Sequence, residues 1–187
     1  LRSTGTGRCQ TRHLPLSRAG NDGFRIAGYA GTLTATYPAY EDGWTVTAEP
    51  DGTLYDENGD EYSYLFWEGE NNTDYDFSKG LLRSRSGHSG LLREKLAEIG
   101  LTPKEYNEFI VYWMPKMQEN PYNLISFQSE RYTDTAKLDI DPTPDSVLRV
   151  FMAWKPLHRP QNIEPQTFTP FARDGFTVVE WGGCEVK

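Results

Sequence analysis

Glu68 and Glu70 stand two residues apart, directly after the aromatic run Tyr62-Ser-Tyr-Leu-Phe-Trp67. On a strand, residues i and i+2 share a face, so both carboxylates would project together from a sheet rim, with Glu180 as a possible third acid. Paired carboxylates near rings suit glycoside hydrolysis, where one acid protonates the leaving oxygen and the other attacks or activates water. Such pairs flank a cleft at about 5 to 10 Å. The same composition suits a non-catalytic sugar site, in which Trp67, Trp154 and Trp181 offer ring faces to a pyranose. The simplest reading needs no ligand: strands that bury rings and leave acids in water.

Other constellations carry less. Asp56-Glu-Asn58-Gly-Asp60-Glu61 resembles the start of a calcium loop, but the sixth and twelfth positions are Glu61 and Trp67 instead of the required Gly and Glu. A solvated hairpin tip explains these residues. His13, His88 and His158 are far apart, no set of histidines and cysteines has the spacing of a full zinc site, and no metal is expected. Ser86-Gly-His88-Ser89 invites a nucleophile reading, yet no Gly-x-Ser-x-Gly elbow accompanies it. Asn71-Asn72-Thr73 fits the N-glycosylation pattern, which matters only in a eukaryotic secretory protein. No motif implies a cofactor.

The elements that must position these groups are clearest at 101–115. Thr102 is placed to cap a helix, Pro103 suits its first position, and Glu105 can reach back to the cap, forming a capping box. Tyr106, Phe109, Ile110 and Trp113 then recur at i, i+3, i+4 and i+7, which makes one face apolar and aromatic. Pro115 is expected to end the run. Leu92, Leu96 and Ile99 mark a preceding short helix closed by Gly100. Upstream, Phe24–Tyr29 and Thr32–Tyr37 read as short strands. Trp44–Glu68 reads as a three-stranded antiparallel meander with turns at Pro50-Asp51-Gly52 and Asn58-Gly59.

After a polar connection over 69–90 and the helix pair, strands are expected at Ile125–Phe127, Ala136–Ile140, Val147–Trp154 and Phe176–Trp181. Strands, two helices and strands again, without βαβ alternation, predict an α+β fold with mainly antiparallel sheet. The helix pair at about 90–114 should pack on one sheet face.

Bulk properties exclude several classes. The 187 residues fit a single domain, expected over 24–187, with the Arg/Ser/Gly/Thr-rich stretch 1–23 as a disordered or loosely attached tail. The 25 aromatics (9 Phe, 5 Trp, 11 Tyr) make a sizeable core possible despite a modest hydrophobic content. A net charge of −8 with no basic stripe argues against nucleic-acid binding. No apolar run is long enough to span a membrane. The chain starts at Leu1, which suggests a processed or truncated product. Cys9 and Cys184 lie near opposite ends; a disulfide would clip the termini together, and two unrelated thiols are the simpler alternative. Oligomeric state is not legible.

Tyr64-Leu-Phe-Trp-Glu-Gly69, Glu108-Phe-Ile-Val-Tyr-Trp-Met-Pro115 and Gly175-Phe-Thr-Val-Val-Glu-Trp-Gly-Gly183, in this order, resemble a set of uncharacterised bacterial proteins predicted to be exported or surface-associated. The resemblance covers about residues 30–187, transfers no catalytic residue, and implies an extracytoplasmic location. One stretch departs from it. Leu81–Gly90 has an Arg/Ser/Gly/His character like the N-terminal segment, where an apolar strand and an acidic helix start would fit the pattern; a shifted reading frame would produce both stretches. The expected function is a non-enzymatic extracytoplasmic binding or structural module of a bacterial surface, engaging a glycan or a protein through exposed Trp67, Trp154 or Trp181. The alternatives are a hydrolase using Glu68 with Glu70 or Glu180, and a protein–protein module without a pocket.

Overall fold

A computed structural model describes residues 7–16, 21–84 and 88–186; at 7–16, 21, 22, 88 and 89 the backbone alone is described. The chain begins with β1 (Gly7–Leu16), β2 (Asn21–Tyr29), β3 (Gly31–Tyr37) and β4 (Trp44–Ala48). Next come β5 (Leu54–Asp56), β6 (Glu61–Tyr62), β7 (Leu65–Asn71) and β8 (Lys79–Ser84). The helices α1 (His88–Ile99) and α2 (Pro103–Met117) lead into β9 (Tyr122–Phe127), α3 (Ser129–Thr135) and β10 (Ala136–Asp141). Then β11 (Ser146–Leu157), β12 (Glu164–Pro165) and β13 (Thr177–Glu185) complete an α+β fold. An eight-stranded sheet has the order β12-β8-β9-β11-β13-β1-β7-β3, and a five-stranded sheet the order β10-β2-β4-β5-β6. Pairing is antiparallel except for β11–β13 and β12–β8.

The eight-stranded sheet is the middle of three layers. Its Leu148, Val150, Met152, Trp154, Val179 and Trp181 pack under Leu92 and Leu96 of α1 and Phe109, Trp113 and Met117 of α2. From the opposite face, Leu65, Trp67, Phe151, Ala153, Val178 and Cys184 meet Phe24, Trp44, Val46 and Leu54 of the smaller sheet. This is why β13 is buried at eight of its nine positions and reads as a nearly unbroken run. A sheet covered on both faces has no wet side to impose alternation.

The helix pair forms as the capping and spacing dictate. Thr102 N–H donates to Glu105 Oε2 at 2.7 Å, the return half of the capping box. Phe109 and Trp113 face the sheet, with Ile110 partly buried beside them. Gly100 closes α1 with φ +125°, and a Cβ there would press on Phe171 at 2.9 Å. Pro115 does not end α2, which runs to Met117. A proline in the last turn still loses one hydrogen bond, but the burial of Met117 holds the turn.

Three expectations give way. Residues 7–16, expected within a loose tail, form β1 between β13 and β7 in the larger sheet. Residues 1–6 and 17–20 lie outside the description. Backbone bonding along both edges defines such a strand, and composition does not report it. The stretch 79–84, read as polar connection and as a departure from an apolar strand, is β8, inserted between β12 and β9 with Gly80 and Leu81 buried. The rest of that odd stretch, 85–87 and the side chains of 88 and 89, falls outside the described residues, as does any Ser–His chemistry there. The meander stops at Tyr62: at Ser63–Tyr64 the chain leaves the smaller sheet, and β7 pairs with β1 and β3 in the larger one.

Candidate functional site

The sequence-marked acids do not converge. Trp67 points between the sheets, so Glu68 and Glu70, one residue out of phase on β7, project from the opposite face. Glu180 shares the phase of Val178 and Cys184 on β13, which places it in the layer between the sheets, fully buried. A trio split across two faces of one sheet cannot flank a glycosidic bond. Glu70 lines a shallow cleft of about 570 Å³ with Asn71, Asp74 and Arg131, and Glu68 is not among its lining residues.

Glu180 is instead the centre of a structural network. Arg149, its direct register partner on the parallel strand β11, pairs Nε with Glu180 Oε2. Tyr132 of α3 donates its hydroxyl to Oε1 at 2.7 Å, and Arg149 Nη1 donates to the Ala136 carbonyl at 2.7 Å. The guanidinium also lies 4.7 Å from the Tyr132 ring centroid. Burial by itself would drive the Arg149 guanidinium toward its neutral form, but the Glu180 carboxylate outweighs it and holds the pKa above its ordinary value. Tyr132 stacks on Phe151 at 4.2 Å, which seals α3 over the pair. The network bolts α3 and β10 to the larger sheet and leaves no room for a substrate.

The three tryptophans are likewise inside. Trp67, Trp154 and Trp181 are 0%, 1% and 2% exposed, Trp67 between the sheets and the other two beneath the helices. Exposed rings at these positions were expected, and the structure corrects this. Each sits on a strand covered on its ring-bearing face, while Glu70, on the other face of β7 from Trp67, stays exposed. Asn71 of the glycosylation pattern is also buried, its Nδ2 donating to the Tyr29 hydroxyl at 3.2 Å. At the hairpin tip, Asp56 Oδ1 accepts the backbone N–H groups of Asn58 and Asp60, each at 2.9 Å. These amides hold its carboxyl below the usual carboxylate range, with the Asp60 N–H bond the largest cause.

Polar, charged and aromatic side chains gather elsewhere, around a cleft of about 480 Å³ at the start of α3. Its walls include Ser78, Lys79, Phe127, Arg131, Gln166 and Phe168. Gln166 is held by paired amide bonds: Phe127 N–H donates to its Oε1 at 2.8 Å, and its Nε2 donates to the Phe127 carbonyl at 3.0 Å. A side chain thus replaces a strand at the end of β9. Phe168 meets Phe127 edge to face at 5.4 Å, leaving the Phe168 ring half-buried at the cleft wall. Gln128 closes the floor, its Nε2 donating to Ser126 Oγ at 2.7 Å and its Oε1 accepting Asp76 N–H at 3.2 Å. Lys79 pairs with Glu164 at 2.6 Å on the rim. Sequence reasoning passed over this site because Gln166 and Phe168 fall in the proline-rich crossover 156–170, which has no period to interpret.

Among the described residues, no group of His, Cys, Asp and Glu is arranged to hold a metal ion, and no helix is long and apolar enough to cross a membrane. No protein-family model matches the chain, and neither a curated protein nor a solved structure does so.

Proposed function

We propose that the protein is a non-enzymatic binding module of a bacterial cell surface that takes a glycan in the cleft beside Phe168. The carrying observation is the pre-set wall: Gln166 locked on the Phe127 backbone, and Phe168 propped edge-on against Phe127. A pyranose offers hydroxyls around an apolar face, and a half-buried ring flanked by Ser78, Lys79, Arg131 and Thr167 answers both features. A wall already ordered before binding loses little conformational freedom to the ligand. The extracytoplasmic, bacterial setting is supported by the resemblance of the three strings at 64–69, 108–115 and 175–183.

A protein ligand on a flat surface finds less support. The large exposed hydrophobics among the described residues are Tyr37, Val111 and Val147, one each on β3, α2 and β11. The hydrolase alternative retains only Glu68 and Glu70 on one strand face, without Glu180.

The test is a glycan array together with enzymatically solubilised bacterial cell-wall fragments. The wild-type protein is expected to bind at least one of them. Phe168→Ala should weaken that binding about tenfold or more, as loss of one buried aromatic contact does. A Trp154→Phe variant should bind as the wild type does. Silence of the wild type on both probe sets would sink the proposal.

A further inference from the structure

We propose that Cys9 and Cys184 are joined by a disulfide across β1 and β13. The two strands are antiparallel, with Thr11 opposite Gly182 and Gln10 opposite Gly183. The paired register ends at Gln10 opposite Gly183, and extending it by one residue would set Cys9 opposite Cys184. Neither strand ends there. β1 stays paired to β7 through Cys9 opposite Gly69 and Gly7 opposite Asn71. β13 stays paired to β11 through Ala153 opposite Cys184 and Trp154 opposite Glu185. Each strand is therefore held from its outer side where the two cysteine positions meet.

Opposed residues of an antiparallel pair have Cα atoms about 4.5 to 5.5 Å apart, inside the range of about 4.4 to 6.8 Å that a disulfide spans. Cys184, a thiol in this structure, is buried in the layer between the sheets, where a bond once formed would be shielded from soluble reductant. The bond forms by exchange with a small-molecule disulfide such as oxidised glutathione. The two protein thiols lose two protons and two electrons, the protein S–S bond forms, and two glutathione thiols leave. Exchange takes place during folding, before Cys184 is covered. It would clip β1 to β13 covalently, and it would mark the chain as one that matures in an oxidising compartment. This inference is independent of the glycan reading.

The test is refolding of the full chain with reduced and oxidised glutathione, followed by intact-mass measurement and peptide mapping without reduction. The expected result is a mass lower by two hydrogens, about 2 Da, and a cross-linked peptide pair containing Cys9 and Cys184. Reduction should lower the thermal midpoint by about 5 °C or more, and Cys9→Ser should melt where the reduced wild type does. If Cys9→Ser does not fold, the wild-type map alone decides. Alkylation of both cysteines in denaturant after oxidative refolding would overturn the inference. So would glutathione adducts in place of the cross-linked pair, or cross-links formed only between copies.

Discussion

A guanidinium and a carboxylate buried side by side stabilise a protein only while both are present. Glu180→Gln would leave the Arg149 charge facing a neutral amide inside the sandwich, and a cost of about 3 to 5 kcal/mol is expected in urea unfolding. Removing both charges at once, as Arg149→Met with Glu180→Leu, should be milder than either single change. If Glu180→Gln unfolds at the wild-type midpoint, the network is not the bolt described above. The turn carboxylates act in the opposite setting, at the surface. Backbone N–H groups hold Asp51, Asp56 and Asp76 below the ordinary value of 3.8, from Thr53, Asp60 and Ser78 respectively. A depressed folded pKa means that the stability they contribute is complete above the unfolded value and lost as pH falls through the folded one. Thermal midpoints should therefore drop below about pH 4. Asp56→Asn should flatten part of that drop, and an unchanged acid limb in this variant would contradict the assignment.

Elements differ in how openly their residues announce them. α2 was legible because capping, spacing and ring content all point to one structure, and its buried face is the expected one. Phe109→Ala should cost about 3 to 5 kcal/mol, since a ring with no exposed surface leaves a cavity between helix and sheet. A loss below about 1 kcal/mol would show that the site collapses around the gap. β1 and β8 were not legible. Polar residues and glycine outnumber the few apolar ones in both, and each is fixed by strands far away in sequence, whose register no local pattern encodes. The segment around 166–173 is a third kind of case: it has no regular structure and is held by side chains. Gln166 bonds Phe127, while Arg173 donates to Glu105 Oε1 at 2.9 Å and to the Gly100 carbonyl at 3.0 Å. Arg173→Ala should speed hydrogen exchange at the Phe171 amide, which bonds the Ile99 carbonyl at 3.1 Å, and leave Val179 protected. Equal acceleration at both amides would mean global loosening.

At the scale of the whole molecule, three layers explain why chemistry seen in the sequence vanished on folding. Fold class was recoverable, because runs of strands interrupted by a helix pair allow few other arrangements. The candidate site was not. Ring-plus-acid strings look like sugar sites when the rings reach solvent, but the ring-bearing faces of β7, β11 and β13 are covered, by the second sheet at Trp67 and by the helices at Trp154 and Trp181. Trp67, Trp154, Trp181 and Glu180 were consumed in holding those layers together. The proposed glycan site is the cleft at the layer edge, where Phe127 ends its strand and Phe168 leans in from the crossover. Amide chemical-shift mapping during titration with solubilised cell-wall fragments tests this most directly. The account predicts shifts clustered at Ser78–Lys79, Phe127–Arg131 and Gln166–Phe168. Shifts centred on β7 around Glu68 and Glu70, with this cleft unmoved, would contradict it.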